Sequence, residues 1–201
     1  MCGACPARFL NAALAGGVDV VQLRDKRLDD DELVAASRRF RDACDAQGAL
    51  FVLNDRPDLV VACEADGVHV GQDDLPVPES RALVGEDRLV GLSTHSPAQV
   101  DAAWGIDYIA VGPVHQTPTK PGRPAAGLDP IRHAAAHARV PWFAIGGLND
   151  VTIKEAIGAG ARRAVVVRAI AEAKDPEAAA RALRAALDAH PLEAEARVGA
   201  T

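Results

Sequence analysis

Short apolar runs rich in valine and isoleucine recur along the chain, at residues 18–23, 49–53, 67–70, 89–92, 108–111, 140–145 and 164–167. They lack the in/out alternation of a half-exposed sheet, so they read as strands buried on both faces. Longer, alanine-rich stretches between them predict helices over 8–15, 28–46, 57–65, 78–84, 96–104, 128–138, 151–159 and 176–189. The punctuation agrees. Gly48 follows the second helix, and its Asp29-Asp30-Asp31-Glu32 start suits the positive end of a helix dipole. Ser96 before Pro97, and Asn149 or Asp150 before Val151, suit helix starts. Strand alternating with helix means a parallel sheet with right-handed crossovers.

Two architectures fit that alternation, an open doubly wound sheet and a closed barrel, and the positions of the polar residues separate them. Nearly every strand runs into polar or glycine residues at its C-terminal end. The clusters are Gln22-Leu23-Arg24-Asp25-Lys26, Asn54-Asp55-Arg56, Gly71-Gln72-Asp73-Asp74, Ser93-Thr94-His95, Gly112-Pro113 with Thr117, Thr119 and Lys120, Gly146-Gly147, and Val167-Arg168. An open sheet binds at one switch point and needs only two or three such ends. Seven loaded ends in succession imply a ring around one site, as on the C-terminal face of a TIM-type (β/α)8 barrel. With only seven strands legible, the first strand is expected to be missing or truncated. Residues 1–7 are expected to be a degenerate first strand or a disordered start, and 190–201 a disordered tail, within a single domain spanning 1–201.

Composition narrows the class further. Of 201 residues, 49% are hydrophobic and 25% charged, ordinary for a globular domain, and no apolar run approaches a membrane span. The start Met1-Cys2-Gly3-Ala4-Cys5-Pro6 does not resemble a signal peptide, so a cytoplasmic protein is expected. Acids outnumber bases 28 to 22, which argues against a nucleic-acid partner. Cys2 and Cys5 form a C-x-x-C with no second pair to complete a zinc site, and His133 and His137 sit four apart with no third ligand nearby. The cysteines read as two thiols in a frayed terminus, and the histidines as an exposed helix face.

The clusters have a chemistry of their own. Gln22, Arg24 and Lys26 alternate, so an extended backbone would place them on one face. An Arg fork with a Lys point charge suits pyrophosphate oxygens. Asp55 and Asp74, from neighbouring strand ends, could hold a Mg²⁺ that also bridges phosphate oxygens. Gly146-Gly147 follows the penultimate strand, where backbone N–H groups of barrels often meet a phosphate. Two anion subsites in one site suggest a reaction between two phosphorylated small molecules, with pyrophosphate leaving.

Taken in order with 65–74 (Ala65-Asp66-Gly67-Val68-His69-Val70-Gly71-Gln72-Asp73-Asp74), Gly91-Leu92-Ser93-Thr94-His95 and Ala144-Ile145-Gly146-Gly147, these motifs resemble the thiamine phosphate synthase family from about residue 10 to about residue 184. That resemblance implies a (β/α)8 barrel. It implies joining of 4-amino-5-hydroxymethyl-2-methylpyrimidine pyrophosphate to a thiazole phosphate, by a dissociative, Mg²⁺-assisted route in which pyrophosphate departs first. It places Gln22, Arg24, Lys26, Asn54 and Lys120 on the pyrimidine pyrophosphate, Asp55 and Asp74 on Mg²⁺, and Ser93 near the pyrimidine and leaving group. Thr117, Thr119, Gly147, Val167 and Arg168 fall where the family grips the thiazole phosphate, and Ser93, Lys120 and Arg24 are the expected catalytic set.

Three departures stand out. Only residues 1–7 are available for the first strand, which leaves the strands at 18–23 and 164–167 with open edges. The expectation is a start assigned too late, or a partial plug, with self-association through those edges left open. Arg168 stands where the family often has serine, and His115-Gln116 replaces the usual aromatic-proline pair. A thiazole tautomerase on the same barrel is a competing reading, but such enzymes tend to lose the pyrophosphate residues, which are present here. A non-catalytic phosphate-binding barrel is the other.

Overall fold

A computed structural model describes residues 6–117 and 124–190, with side chains from residue 9 onward. The strands are β1 (Val20–Leu23), β2 (Leu50–Asn54), β3 (Gly67–Val70), β4 (Leu89–Thr94), β5 (Tyr108–Val111), β6 (Trp142–Ile145) and β7 (Ala164–Val165). The helices are α1 (Pro6–Ala15), α2 (Asp30–Gln47), α3 (Val77–Val84), α4 (Pro97–Asp101), α5 (Asp129–His137), α6 (Ile153–Gly158), α7 (Arg168–Ala171) and α8 (Pro176–Asp188). The seven strands form one sheet in chain order, every neighbouring pair parallel. This is the barrel-type α/β sheet expected, with seven strands among the described residues and β1 and β7 at its edges. No described helix is long and apolar enough to cross a membrane.

Local chemistry accounts for the boundaries. Asp29 caps α2 by accepting from the Glu32 N–H while Glu32 reaches back to the Asp29 N–H, a full capping box. The helix ends on Gly48 at φ 66°, a left-handed position that glycine adopts without strain. Ser96 and Asp175 cap α4 and α8, and Asn149 Oδ1 accepts from the Val151 and Thr152 N–H groups just before α6. The stretch 57–65 departs from expectation. Only Pro57–Leu59 is helical, as a 3₁₀ turn, and tight turns follow up to Glu64 at φ 51°. Val60 and Cys63 are drawn into the core there, and the β-branched pair Val60-Val61 favours no continuing helix. β7 is also shorter than expected, since the chain leaves the sheet after Val165 and Arg168 opens α7.

Alternation along the strands divides the sheet into two faces. Phe51, Leu53, Val68, Val70, Val90, Ile109, Val111 and Ala144 pack with Leu10, Leu14, Leu33 and Ile131 into the main core between strands and helices. A second cluster joins Ala13 of α1 to Ile153 and Ile157 of α6, Ile170 of α7, and Ala180 and Leu183 of α8, with Val18 and Ala164 against it. Helix α1 therefore feeds both cores, and it lies beside α2 and α8 near the two edge strands. The opposite face of the strands carries Gln22, Asn54, His69, Gly91, Ser93 and Tyr108, far too polar for a hydrophobic core, and it rises to the strands' C-terminal ends.

Candidate active site

At the ends of β1, β2 and β3 a cleft of about 240 Å³ is lined by Leu23, Asp25, Lys26, Asn54, Asp55 and Asp74, backed by Leu28, Leu33 and Arg56. The loop after β1 is shaped by Asp25, which accepts from the Arg27 backbone N–H (3.0 Å), Nε (2.9 Å) and Nη2 (2.6 Å). Those bonds hold the Asp25 carboxyl down at about 2. Lys26, between them, turns into the cleft and places Nζ 2.8 Å from Asp55 Oδ2. Asp55 sits at φ 63°, a left-handed conformation uncommon outside glycine and a frequent mark of functional backbone. Its N–H is held by the His69 carbonyl at 2.9 Å. Asp74 folds the loop after β3 back, its Oδ2 accepting from the Gly71 N–H at 2.7 Å.

Asp55 and Asp74 therefore meet. Burial pushes the Asp55 carboxyl up, but Lys26, Asp74 and Asn54 outweigh it, and the carboxyl lies below its ordinary value. Among the described residues no three His, Cys, Asp or Glu side chains gather as a metal cluster. A cation here would rest on two carboxylates and complete its shell with water and ligand oxygens. That donor set fits Mg²⁺, which keeps water and commonly shares one or two carboxylates with substrate phosphates. Arg56 is committed elsewhere: its fork grips Asp58 (3.0 and 2.6 Å), and Nη1 reaches Asp30 at the start of α2 (2.6 Å).

The inner face next to this cleft holds a polar chain. His69 Nε2 lies 2.9 Å from Ser93 Oγ, and His69 Nδ1 lies 3.1 Å from Tyr108 Oη. His69 and Ser93 are buried, and the Gln72 side-chain amide donates to the Ser93 carbonyl at 2.6 Å, tying the β3 loop to β4. On the far side, Gly147 sits at φ 66°, and a Cβ there would come 2.7 Å from the His115 Cβ. The Gly147 carbonyl accepts from Thr152 Oγ1 at 2.9 Å. Gly147 is thus required for the β5 and β6 loops to pack, whatever it does for a ligand. His115 also faces Glu155, with 3.5 Å between Nε2 and Oε2.

The expected residues divide by location. Lys26, Asn54, Asp55 and Asp74 converge in the cleft, with Ser93 beyond them on the inner face. Gln22 and Arg24 are exposed and do not line the cleft; because the chain leaves extended geometry after Leu23, Lys26 goes its own way toward Asp55. Thr117 lies in the loop after β5, while Thr119 and Lys120 fall outside the described residues. Val167 and Arg168 are exposed at the start of α7 and not at a strand end. Tyr108 and His69 were missed as site residues because each reads as strand filler. The signal that could have found them is polarity at alternate positions of β3, β4 and β5.

The remaining candidates are structural. His133 pairs with Asp101 of α4 at 2.7 Å, joining α5 to α4, and Cys44 and Cys63 are buried, reduced thiols. Burial pushes the Cys44 thiol up to about 11, so it is unreactive. Cys2 and Cys5 lie outside the described residues.

Fold and site together define a parallel barrel-type α/β protein with a cleft of mixed acidic and basic residues at its strand ends. The family model for thiamine monophosphate synthase matches residues 1–170, and the chain belongs to that family. It is 56% identical to the thiamine-phosphate synthase of Thermobifida fusca over 182 residues, covering 89% of this chain and 84% of that protein. It is 54% identical to the same-named protein of Acidothermus cellulolyticus over 191 residues, covering 93% and 90%. Among solved structures, the thiamine phosphate pyrophosphorylase of Pyrococcus furiosus superposes with a TM-score of 0.85 at 27% identity, covering 92% of this chain and 91% of that one.

Proposed function

We propose that the protein condenses 4-amino-5-hydroxymethyl-2-methylpyrimidine pyrophosphate with a thiazole phosphate, forming thiamine phosphate and releasing pyrophosphate. The observation that carries this reading is the meeting of Asp55, Asp74 and Lys26 in one cleft beside Ser93, in a chain of this family. Lys26, freed from Asp55 when a ligand enters, supplies a point charge to the pyrophosphate, and Asn54 supplies an amide. Asp55 and Asp74 are the residues that would hold Mg²⁺, whose positive charge would offset the charge developing on the departing pyrophosphate. The C–O bond breaks first, and the thiazole nitrogen captures the resulting pyrimidine-methyl cation. Fixed donors aimed at the leaving group lower that barrier without reorganising.

Arg24, Gln22 and Lys120 complete the pyrophosphate side in this reading, and Thr117, Thr119, Gly147, Val167 and Arg168 the thiazole phosphate side. A cytoplasmic setting suits such a reaction. The test is product formation from the two substrates with Mg²⁺ supplied, followed as thiamine phosphate and pyrophosphate in equal amounts. Failure of the purified chain to make either refutes it. A product without pyrophosphate release would point to thiazole isomerisation.

A further inference from the structure

The chain from Tyr108 to His69 to Ser93 links β5, β3 and β4. His69 of β3 pairs in register with Gly91 of β4, and Gly91 pairs with Tyr108 of β5. A Cβ on Gly91 would lie 2.1 Å from the Tyr108 ring, so the missing side chain is the gap through which the ring passes over β4 to His69. Phe143 of β6 braces the ring edge-on, with centroids 5.6 Å apart. Burial, with a lesser contribution from Asp107, pushes the Tyr108 phenol well above its ordinary range, so the O–H proton stays on.

Tyr108 is half-buried, and a hydroxyl proton held in such a site takes the protein acceptor nearest it. Among the described residues the Tyr108 hydroxyl has one partner, His69 Nδ1. With the phenol as donor to that nitrogen, the other ring nitrogen, Nε2, carries the imidazole proton. Nε2–H then donates to Ser93 Oγ, and because the serine oxygen is occupied as an acceptor on that side, its own proton points elsewhere. Ser93 has no other side-chain partner among the described residues. We propose that Tyr108 is a positioning residue that locks His69 as the Nε2–H tautomer, so that Ser93 presents its hydroxyl to the substrate as a hydrogen-bond donor. The order Tyr→His→Ser is the reverse of a nucleophile dyad, in which histidine would take the serine proton.

This inference rests on the condensation reading for its activity arm only. The experiment compares the full chain with Tyr108→Phe, which removes one oxygen and keeps the ring in its slot. Both are labelled with ¹⁵N-histidine, and His69→Gln identifies the His69 signals. The wild type should show Nδ1 unprotonated and Nε2 protonated. Tyr108→Phe should lose that pattern, and kcat should fall about tenfold, the scale of one hydrogen bond, with KM for both substrates little changed. A wild type protonated on Nδ1 overturns the proposal. So does Tyr108→Phe with the Nε2–H pattern intact, or with an altered pattern beside an unchanged kcat. A wild type without condensation activity would sink the functional reading, while the tautomer assignment would still stand or fall on its own spectrum.

Discussion

The two ends of the barrel treat charge in opposite ways. At the N-terminal ends of the strands, acids are tied down. Asp66, just before β3, accepts from the Phe51 N–H at 2.7 Å and from Arg41 of α2 at 3.0 Å. Asp107, just before β5, accepts from the Val90 N–H at 2.7 Å and from Arg81 of α3. Asp19, before β1, pairs with Arg184 of α8 at 3.0 Å. The same device recurs before alternate strands: one aspartate bonds the neighbouring strand or the helix arginine that overlies it. At the C-terminal ends, Lys26 and Asp55 share one contact, Asp55 leans on another carboxylate, and Arg24 makes no ion pair among the described residues. Charge that is fully paired stabilises; charge left incompletely paired at a strand end is available to a ligand. Acidic residues alone do not mark a site, and the distinction lies in where their bonds go.

Substitutions at the two ends should separate activity from stability. The largest expected effect is at the open end. Asp74→Ala removes one proposed Mg²⁺ ligand and should slow turnover roughly 100-fold, about 3 kcal/mol in the barrier, and shift the Mg²⁺ dependence to higher concentration. The melting temperature should move little, since Asp74 bonds Gly71 of its own loop and meets Asp55 at the cleft without joining the core. Wild-type turnover with wild-type Mg²⁺ dependence would remove Asp74 from the site.

At the closed end the pattern inverts. Asp66→Ala strips the Phe51 N–H of its side-chain acceptor and leaves Arg41, already with a buried Nε lacking a partner, with only Asp45 of its own helix and the Glu64 carbonyl. Losing a charge-assisted bond to a partly buried group should cost about 2–3 kcal/mol. Denaturant unfolding should show that loss while kcat per folded molecule stays at wild type. A fall in kcat without a loss of stability would erase the contrast between the two ends.

A third change tests the sealing of the edge strands and involves neither set of charges. A Cβ at Gly16 would stand 2.5 Å from the Glu177 carbonyl and 2.6 Å from the Ala180 Cβ, where the end of α1 meets α8. Gly16→Ala should therefore cost about 1–3 kcal/mol through overpacking. Unchanged thermal stability would mean that α1 and α8 part easily and that their contact does not hold the second core together.

Much of this was legible before any coordinates. The parallel order, the seven strands and the two ends of α2 at Asp29 and Gly48 follow from local patterns, and the nearness of Asp55 and Asp74 follows from their places at neighbouring strand ends. What failed to show is non-local. That Lys26 turns away from Gln22 and Arg24 depends on how Arg27 binds Asp25 after the strand ends, and alternation in the sequence carries no trace of it. The arginine partners of Asp66 and Asp107 lie 25 and 26 residues upstream. Gly91 reads as an ordinary strand glycine until Tyr108, one strand over, is seen to fill its space. Gly147 invites a phosphate reading, but the space a side chain would need there is already taken by His115.

The smallest expected effect concerns a place where the open end imitates the closed one. Asp25 and Arg27 form a complete pair beside the cleft, and Arg27 holds the Asp25 carboxyl from 3.8 down to about 2. A depressed carboxyl pKa contributes stability that is fully present above the unfolded value and is lost as pH falls through the folded one. The pair should therefore hold the loop after β1 closed above pH 4 and release it between about 4 and 2. Both groups meet water, so solvent screening keeps the effect on global stability small, and the readout must be local. Amide exchange at Arg27, whose N–H is bound to Asp25, should accelerate across that window relative to exchange at Glu32, which the α2 capping box protects. Asp25→Asn should show the fast rate already at neutral pH. Exchange at Arg27 that tracks Glu32 throughout would mean that the loop is held by its backbone alone, and that incomplete pairing extends over the whole mouth of the barrel.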